Sequence, residues 1–142
     1  MGYFKTWLES TETKVLSIDD AKKLSQASGL DVAGMEFDKI EDALAHDMPI
    51  SYDDSFPLSG IEGTRGDIPK VLRMMGAFAQ RMGVDAPETL EDVRKLKIRD
   101  AEFKKMTPPV IVHKSGEVID GKSRVTAAKL LQIGEIRAFV IG

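Results

Sequence analysis

At 142 residues the chain is long enough for one domain whose core needs no disulfide or metal staple. Its 42% hydrophobic and 30% charged residues fit a water-soluble globular protein, and no apolar run approaches the about 20 residues of a membrane-spanning helix. With no Cys and two His, disulfide chemistry and most transition-metal sites are excluded. The net charge of −3 hides an uneven split. Residues 1–93 hold 9 Lys and Arg against 18 Asp and Glu, whereas residues 94–142 hold 11 against 5. The basic part is either an electrostatic footprint for phosphate or an ordinary solvated face that attracts the acidic part.

In chain order, MGYFKTWLESTETK lacks the apolar run of a secretory signal, and with no Cys in the chain a cytoplasmic location is expected. Tyr3, Phe4 and Trp7 read as a helix that anchors the N-terminus. Ser17 followed by Asp20 is a cap signal for a helix over Ile18–Ser28, stopped by Gly29. A second helix is predicted over Met35–His46, ended by Met48-Pro49, with His46 complementing the helix C-terminus. Ile50–Gly66, punctuated by Pro57, Gly60, Gly63 and Gly66, reads as a long loop. Within it Asp53-Asp54 are candidates to hold Mg²⁺ and Arg65 to reach a second phosphate; solvated turn residues are the plain alternative.

Asp67 then caps the strongest helix, Ile68–Met82, with Pro69 in its first turn and Gly83 after it. Ile68, Val71, Leu72, Met75, Phe78, Ala79 and Met82 form one stripe, expected to face the core. Thr89 with Asp92 opens a helix over Leu90–Leu96 that continues or restarts through Lys105. Val110–His113 and Glu117–Ile119 read as a hairpin around Lys114-Ser115-Gly116, with Gly116 at positive φ. Asp120-Gly121 closes its second strand. A helix from about Ser123 to Ile133 follows, stopped by Gly134, and Ile136–Ile141 returns as a strand.

The chemistry sits between hairpin and helix. Gly121-Lys122-Ser123-Arg124 at a helix start is an anion site in outline: N–H groups and the dipole point outward, and two side chains add charge. Gly116–Ser123 also fits the G-x-x-x-x-G-K-[ST] pattern of a P-loop. Val118-Ile119 between the glycines prefer an extended chain, and only 19 residues follow Ser123 to carry an acidic magnesium ligand, so the hairpin reading is preferred. His113, Glu117 and Asp120 are the candidates for acid–base work. A surface His at a turn and an outward strand Glu are the plain alternatives.

Glu117–Lys129, reading EVIDGKSRVTAAK, resembles the conserved box of the ParB/sulfiredoxin superfamily: a strand, Asp-Gly-x-x-Arg, an Ala-Ala-Lys helix and a strand. Met106–Val112 resembles the approach to that box, and the resemblance extends over about Leu90–Gly142. It implies an α+β fold with a small mixed sheet, of which residues 90–142 form the core box; with the helices read above, residues 1–89 are expected to form a helical extension packed on or beside it. It also implies a nucleoside triphosphate, ATP or CTP with Mg²⁺, bound by Gly121, Lys122, Ser123, Arg124 and Thr126, with Arg124 the foremost phosphate ligand. Triphosphatase, kinase or nuclease activity, and DNA, a protein partner or a second copy as partners, are within the family's range. Sulfiredoxin chemistry needs a Cys in the loop, which this chain lacks. Partition proteins carry Glu-Arg-Arg where this chain has Lys122-Ser123-Arg124. A third reading is a catalytically silent interaction protein that uses its acidic N-terminal part.

Overall fold

The computed structural model describes residues 12–26, 37–63 and 66–142. Tyr3, Phe4, Trp7 and Arg65 lie outside them, as does the stop expected at Gly29. The fold is α+β. A five-stranded mixed sheet is built from β1 (Glu12–Lys14), β2 (Ile50–Pro57), β3 (Val110–His113), β4 (Val118–Asp120) and β5 (Glu135–Ile141), in the order β1-β2-β5-β3-β4. β3 and β5 run parallel, and every other pair is antiparallel. The described helices are α1 (Ile18–Ser25), α2 (Phe37–Ala45), α3 (Ile68–Met82), α4 (Leu90–Lys95), α5 (Asp100–Met106) and α6 (Lys122–Leu130).

Strand alternation sorts the core into two layers. Val110, Val112, Val118, Ile136 and Ala138 face a cluster with Val71, Met75, Phe78, Val93, Phe103 and Val125 from α3–α6. Ile50, Tyr52, Ile111, Phe139 and Ile141 face the other way, onto Ala21 of α1 and Ile40 and Ala43 of α2. Helices therefore cover both sides of the sheet. β3 is buried over Val110–Val112, as its β-branched run requires. Arg137 projects from β5 and is 7% exposed. Its guanidinium donates to the carbonyls of Thr107 (2.6 Å) and Ser25 (3.4 Å) and meets the Tyr52 hydroxyl (3.5 Å), tying the end of α1 to the approach to β3. Burial pushes the Tyr52 phenol above its ordinary pKa, and Arg137 opposes that.

Local signals hold where a side chain caps a helix. The Ser17 hydroxyl accepts from the Asp20 N–H at 3.2 Å, and Thr89 and Asp92 form a reciprocal capping box. The helix after Thr89 ends at Lys95 and restarts at Asp100. Gly116 has φ 98°, as its turn demands.

Three expectations are corrected. Ile50–Pro57 is a strand, not part of a loop. Its polar Asp53-Asp54-Ser55 hides an alternation in which Ile50 and Tyr52 are buried, and a shift in register between Asp53 and Phe56 absorbs the polar residues. With β1, this strand also places the N-terminal part inside the sheet rather than only beside it. Asp67 occupies the position before α3 but makes no side-chain cap bond. A cap accepts from the second or third N–H of the helix, and Pro69 removes the second. α6 ends at Leu130, short of Gly134, and Gln132 takes the left-handed turn at φ 59°. Ile133 is 5% exposed, and turning early is what carries it into the core.

Asp53 yields a pH test. Burial pushes its carboxyl above the ordinary value, with Asp54 and Glu135 adding to the rise, while the Ser55 N–H (2.9 Å from Oδ1) and Lys104 pull it down. A carboxyl raised in the folded state is harmless below its unfolded pKa and costs stability as pH rises through the folded pKa. Asp53→Asn keeps an acceptor for Ser55. It is expected to be more stable than wild type at pH 7, with the difference closing below pH of about 4. Urea unfolding of both proteins from pH 3 to 7 checks this, and a difference independent of pH contradicts it.

Candidate functional site

The β4–α6 junction is assembled from three chain segments. β4 ends at Asp120, α6 begins at Lys122, and Gly121 between them has φ 101° and ψ 28°. A side chain at Gly121 is excluded by space as well as by backbone: its Cβ would lie 2.7 Å from Val110 Cγ1 and 2.9 Å from Arg124 Nη2. Arg124, in the first turn of α6, folds back under the glycine. Its Nη2 donates to Asp120 Oδ2 at 3.3 Å and to the Pro109 carbonyl at 3.2 Å. The two charged side chains are 12% and 11% exposed. Asp-Gly-x-x-Arg is thus a structural latch: the acid ends the strand, the glycine leaves room for the guanidinium, and the arginine reaches back four residues.

The third segment is the loop before α3. Gly66 is buried against α6, and a Cβ there would meet Ser123 Cα at 2.7 Å and Ser123 N at 2.9 Å. Its N–H donates to Thr126 Oγ1 at 2.7 Å, while that hydroxyl donates to the Lys122 carbonyl at 2.8 Å. This backbone walls one side of the helix start. Gly121 supplies no side-chain cap. Lys122 is exposed and makes no ion pair among the described residues.

The residues singled out from sequence thus fall into different roles. Gly121, Lys122 and Ser123 line the start of α6. Thr126 holds the Gly66 loop. Arg124 and Asp120 engage each other, so the two cations expected side by side at the mouth are not presented together: Lys122 is outside and Arg124 inside. His113 and Glu117 lie at the opposite end of the hairpin, because Ile111 is the register partner of Asp120. His113 Nδ1 accepts the Ser115 N–H at 3.1 Å and contacts the Ser115 hydroxyl at 2.9 Å, which makes it a turn residue. The His113 N–H donates to the Glu117 carbonyl at 2.8 Å, and the Glu117 side chain is exposed. His46 sits at the end of α2, with Nδ1 2.8 Å from the Asp42 carbonyl. Asp53 is separated from Asp120 by three strand spacings, on the order of 14 Å, so the sheet does not bring it to the junction. Among the described residues no cluster of three His, Asp or Glu could hold a metal ion, and no helix is long and apolar enough to cross a membrane.

The latch was not apparent from loop chemistry alone. Its signal is an Asp and an Arg on either side of a glycine, four residues apart, where a left-handed glycine reverses the chain and brings the two charges together. Comparison with protein-family models, curated proteins and solved structures gives no match to this chain.

Removing one member of a mostly buried charge pair costs about 3 kcal/mol or more. Arg124→Ala is expected to destabilise the fold by that amount, and to cost clearly less in an Asp120→Asn background, because contacting residues couple. A double-mutant cycle by urea denaturation measures this. Additive losses would show that the two side chains do not act together.

Proposed function

We propose that the protein binds the phosphates of a nucleoside triphosphate, ATP or CTP with Mg²⁺, at the start of α6. The observation that carries this reading is the form of the helix start. α6 opens from a left-handed glycine with no side-chain cap, and the exposed Lys122 stands beside it. N–H groups at such a start attract an anion through the helix dipole, and Lys122 adds a full positive charge. The resemblance of Glu117–Lys129 to the ParB/sulfiredoxin box supports the same place.

In this reading Arg124 is a positioning residue. By gripping Asp120 and the Pro109 carbonyl it fixes the angle at which strand passes to helix, and so aims the N–H groups. The chemistry available at the junction is charge neutralisation and orientation, which carry most of phosphoryl-transfer catalysis. The reading is one of binding. Asp120, the acid nearest the junction, is engaged by Arg124, and His113 and Glu117 lie at the far end of the hairpin.

A thermal-shift series with ATP and CTP, with and without Mg²⁺, tests the reading. At a ligand concentration 100 times Kd, stabilisation is about 2.7 kcal/mol, a rise of several degrees in a chain of this size. Lys122→Ala is exposed, so it leaves the unliganded Tm unchanged and weakens binding about tenfold, as loss of one charge-assisted contact does. No shift with any nucleotide at millimolar concentration overturns the proposal.

A further inference from the structure

Along α6 from its start, two hollows of about 370 and 550 Å³ adjoin on the α3–α6 side of the sheet, the smaller one reaching Thr126. They share Arg94 and Gln132, and so form one groove between the outer face of α6 and the link from α4 to α5. Arg94, Lys95, Lys97, Arg99 and Lys129 line it, over a floor that includes Leu96, and no carboxylate is among its described lining residues. Glu91 and Glu102 reach Arg94 (3.6 Å) and Arg99 (2.9 Å) from outside it. Lys95, Lys97 and Lys129 are exposed and make no ion pair among the described residues.

Helix ends account for part of this charge. Arg94 and Lys95 sit in the last turn of α4 and Lys129 in the last turn of α6, where cations suit the dipole. Lys97 lies in the link, outside both helices, and has no such reason to be there; Arg99 is the N-cap of α5 and pairs with Glu102. Five cations converging on one concave surface raise the local concentration of a polyanion. The acidic stretch of α2 and its following turn, Asp38, Glu41, Asp42 and Asp47, belongs to the opposite side of the sheet. A helix is about 10 Å thick, which matches the Debye length of about 10 Å in 0.1 M salt. The acidic side across the sheet is therefore screened from the groove; on the groove's own side Asp85, Glu88 and Asp92 line a neighbouring hollow that shares Lys95, which leaves Lys97 and Lys129 as the cations farthest from acidic neighbours in the lining.

We propose that this groove binds the phosphodiester backbone of duplex DNA, independently of the start of α6. The occupant follows from the lining. Cations over a short apolar floor suit a run of phosphates, and among the described lining residues there is no aromatic ring on which unpaired bases would stack. Nothing in it reads base edges, so binding is indifferent to sequence and sensitive to salt.

Fluorescence anisotropy with two unrelated 20-bp duplexes, the matching single strands and poly-glutamate, from 50 to 200 mM salt, tests this on the full chain. Wild type is expected to bind both duplexes equally, with log Kobs falling against log salt at a slope of about −3 to −4.5 for three to five phosphates neutralised. The triple variant Lys95→Glu, Lys97→Glu, Lys129→Glu stays folded, with a Tm lower by a few degrees because Lys95 and Lys129 close their helices, and loses at least tenfold in affinity. Reversing Lys22 and Lys23 of α1, on the other side of the sheet, changes affinity less than twofold. Lys122→Ala leaves duplex binding intact, and the triple variant keeps any nucleotide-induced thermal shift, so the two sites stand or fall separately. Absence of duplex binding at 50 mM salt, equal losses from the two sets of reversals, or tighter binding of single strands or poly-glutamate overturns the proposal.

Discussion

The junction depends on the contact between Arg124, Asp120 and the Pro109 carbonyl. Three chain segments meet there: the approach to β3, the end of β4 and the first turn of α6. A guanidinium is suited to the task, since its fork of donors can satisfy a carboxylate and a carbonyl together. The price is that Arg124 no longer projects toward an incoming anion. An arginine that looks like a ligand in a one-dimensional motif is here part of the frame, and in the proposed function the ligand role falls to the backbone and to Lys122.

The sheet organises charge as well as packing. α1 and α2, with 3 Lys and Arg against 5 Asp and Glu, cover one side, and α3–α6, with 10 against 4, cover the other, so the two helical layers differ in charge. This explains why the molecule can be acidic overall and still carry a concave basic surface. The two proposed anion sites both lie on the α3–α6 side, along α6. The start of α6 offers directed N–H groups and suits a compact phosphate group, whereas the groove offers flexible lysines and suits an extended chain of phosphates. The two differ in geometry, and Lys122 belongs only to the first.

Much of this was legible in the sequence, and for physical reasons. The strand Val110–His113 and helix α3 were read within their observed bounds, because their side-chain patterns are set by burial on a fixed period. Thr89 with Asp92 was readable because a cap is a local bond between near neighbours. β2 was missed because its existence depends on partners β1 and β5, the second of which lies more than 75 residues along the chain. The latch was half legible: the residues were singled out, but burial, which decides whether a charge faces solvent or its neighbour, comes from the packing of distant segments. The basic groove was visible only as a charge imbalance. Its concavity arises where α4, the following link and α6 meet, and no local pattern encodes that.

The central claim is that the α6 start, held in aim by Arg124, grips a phosphate. Amide NMR tests it most directly, by titrating the ¹⁵N-labelled protein with Mg-ATP and Mg-CTP. The account predicts saturable shifts largest at the amides of Gly121, Lys122 and Ser123, with Pro109–Val112 following more weakly through the latch. Shifts centred elsewhere, or spectra unchanged at millimolar nucleotide, would contradict it.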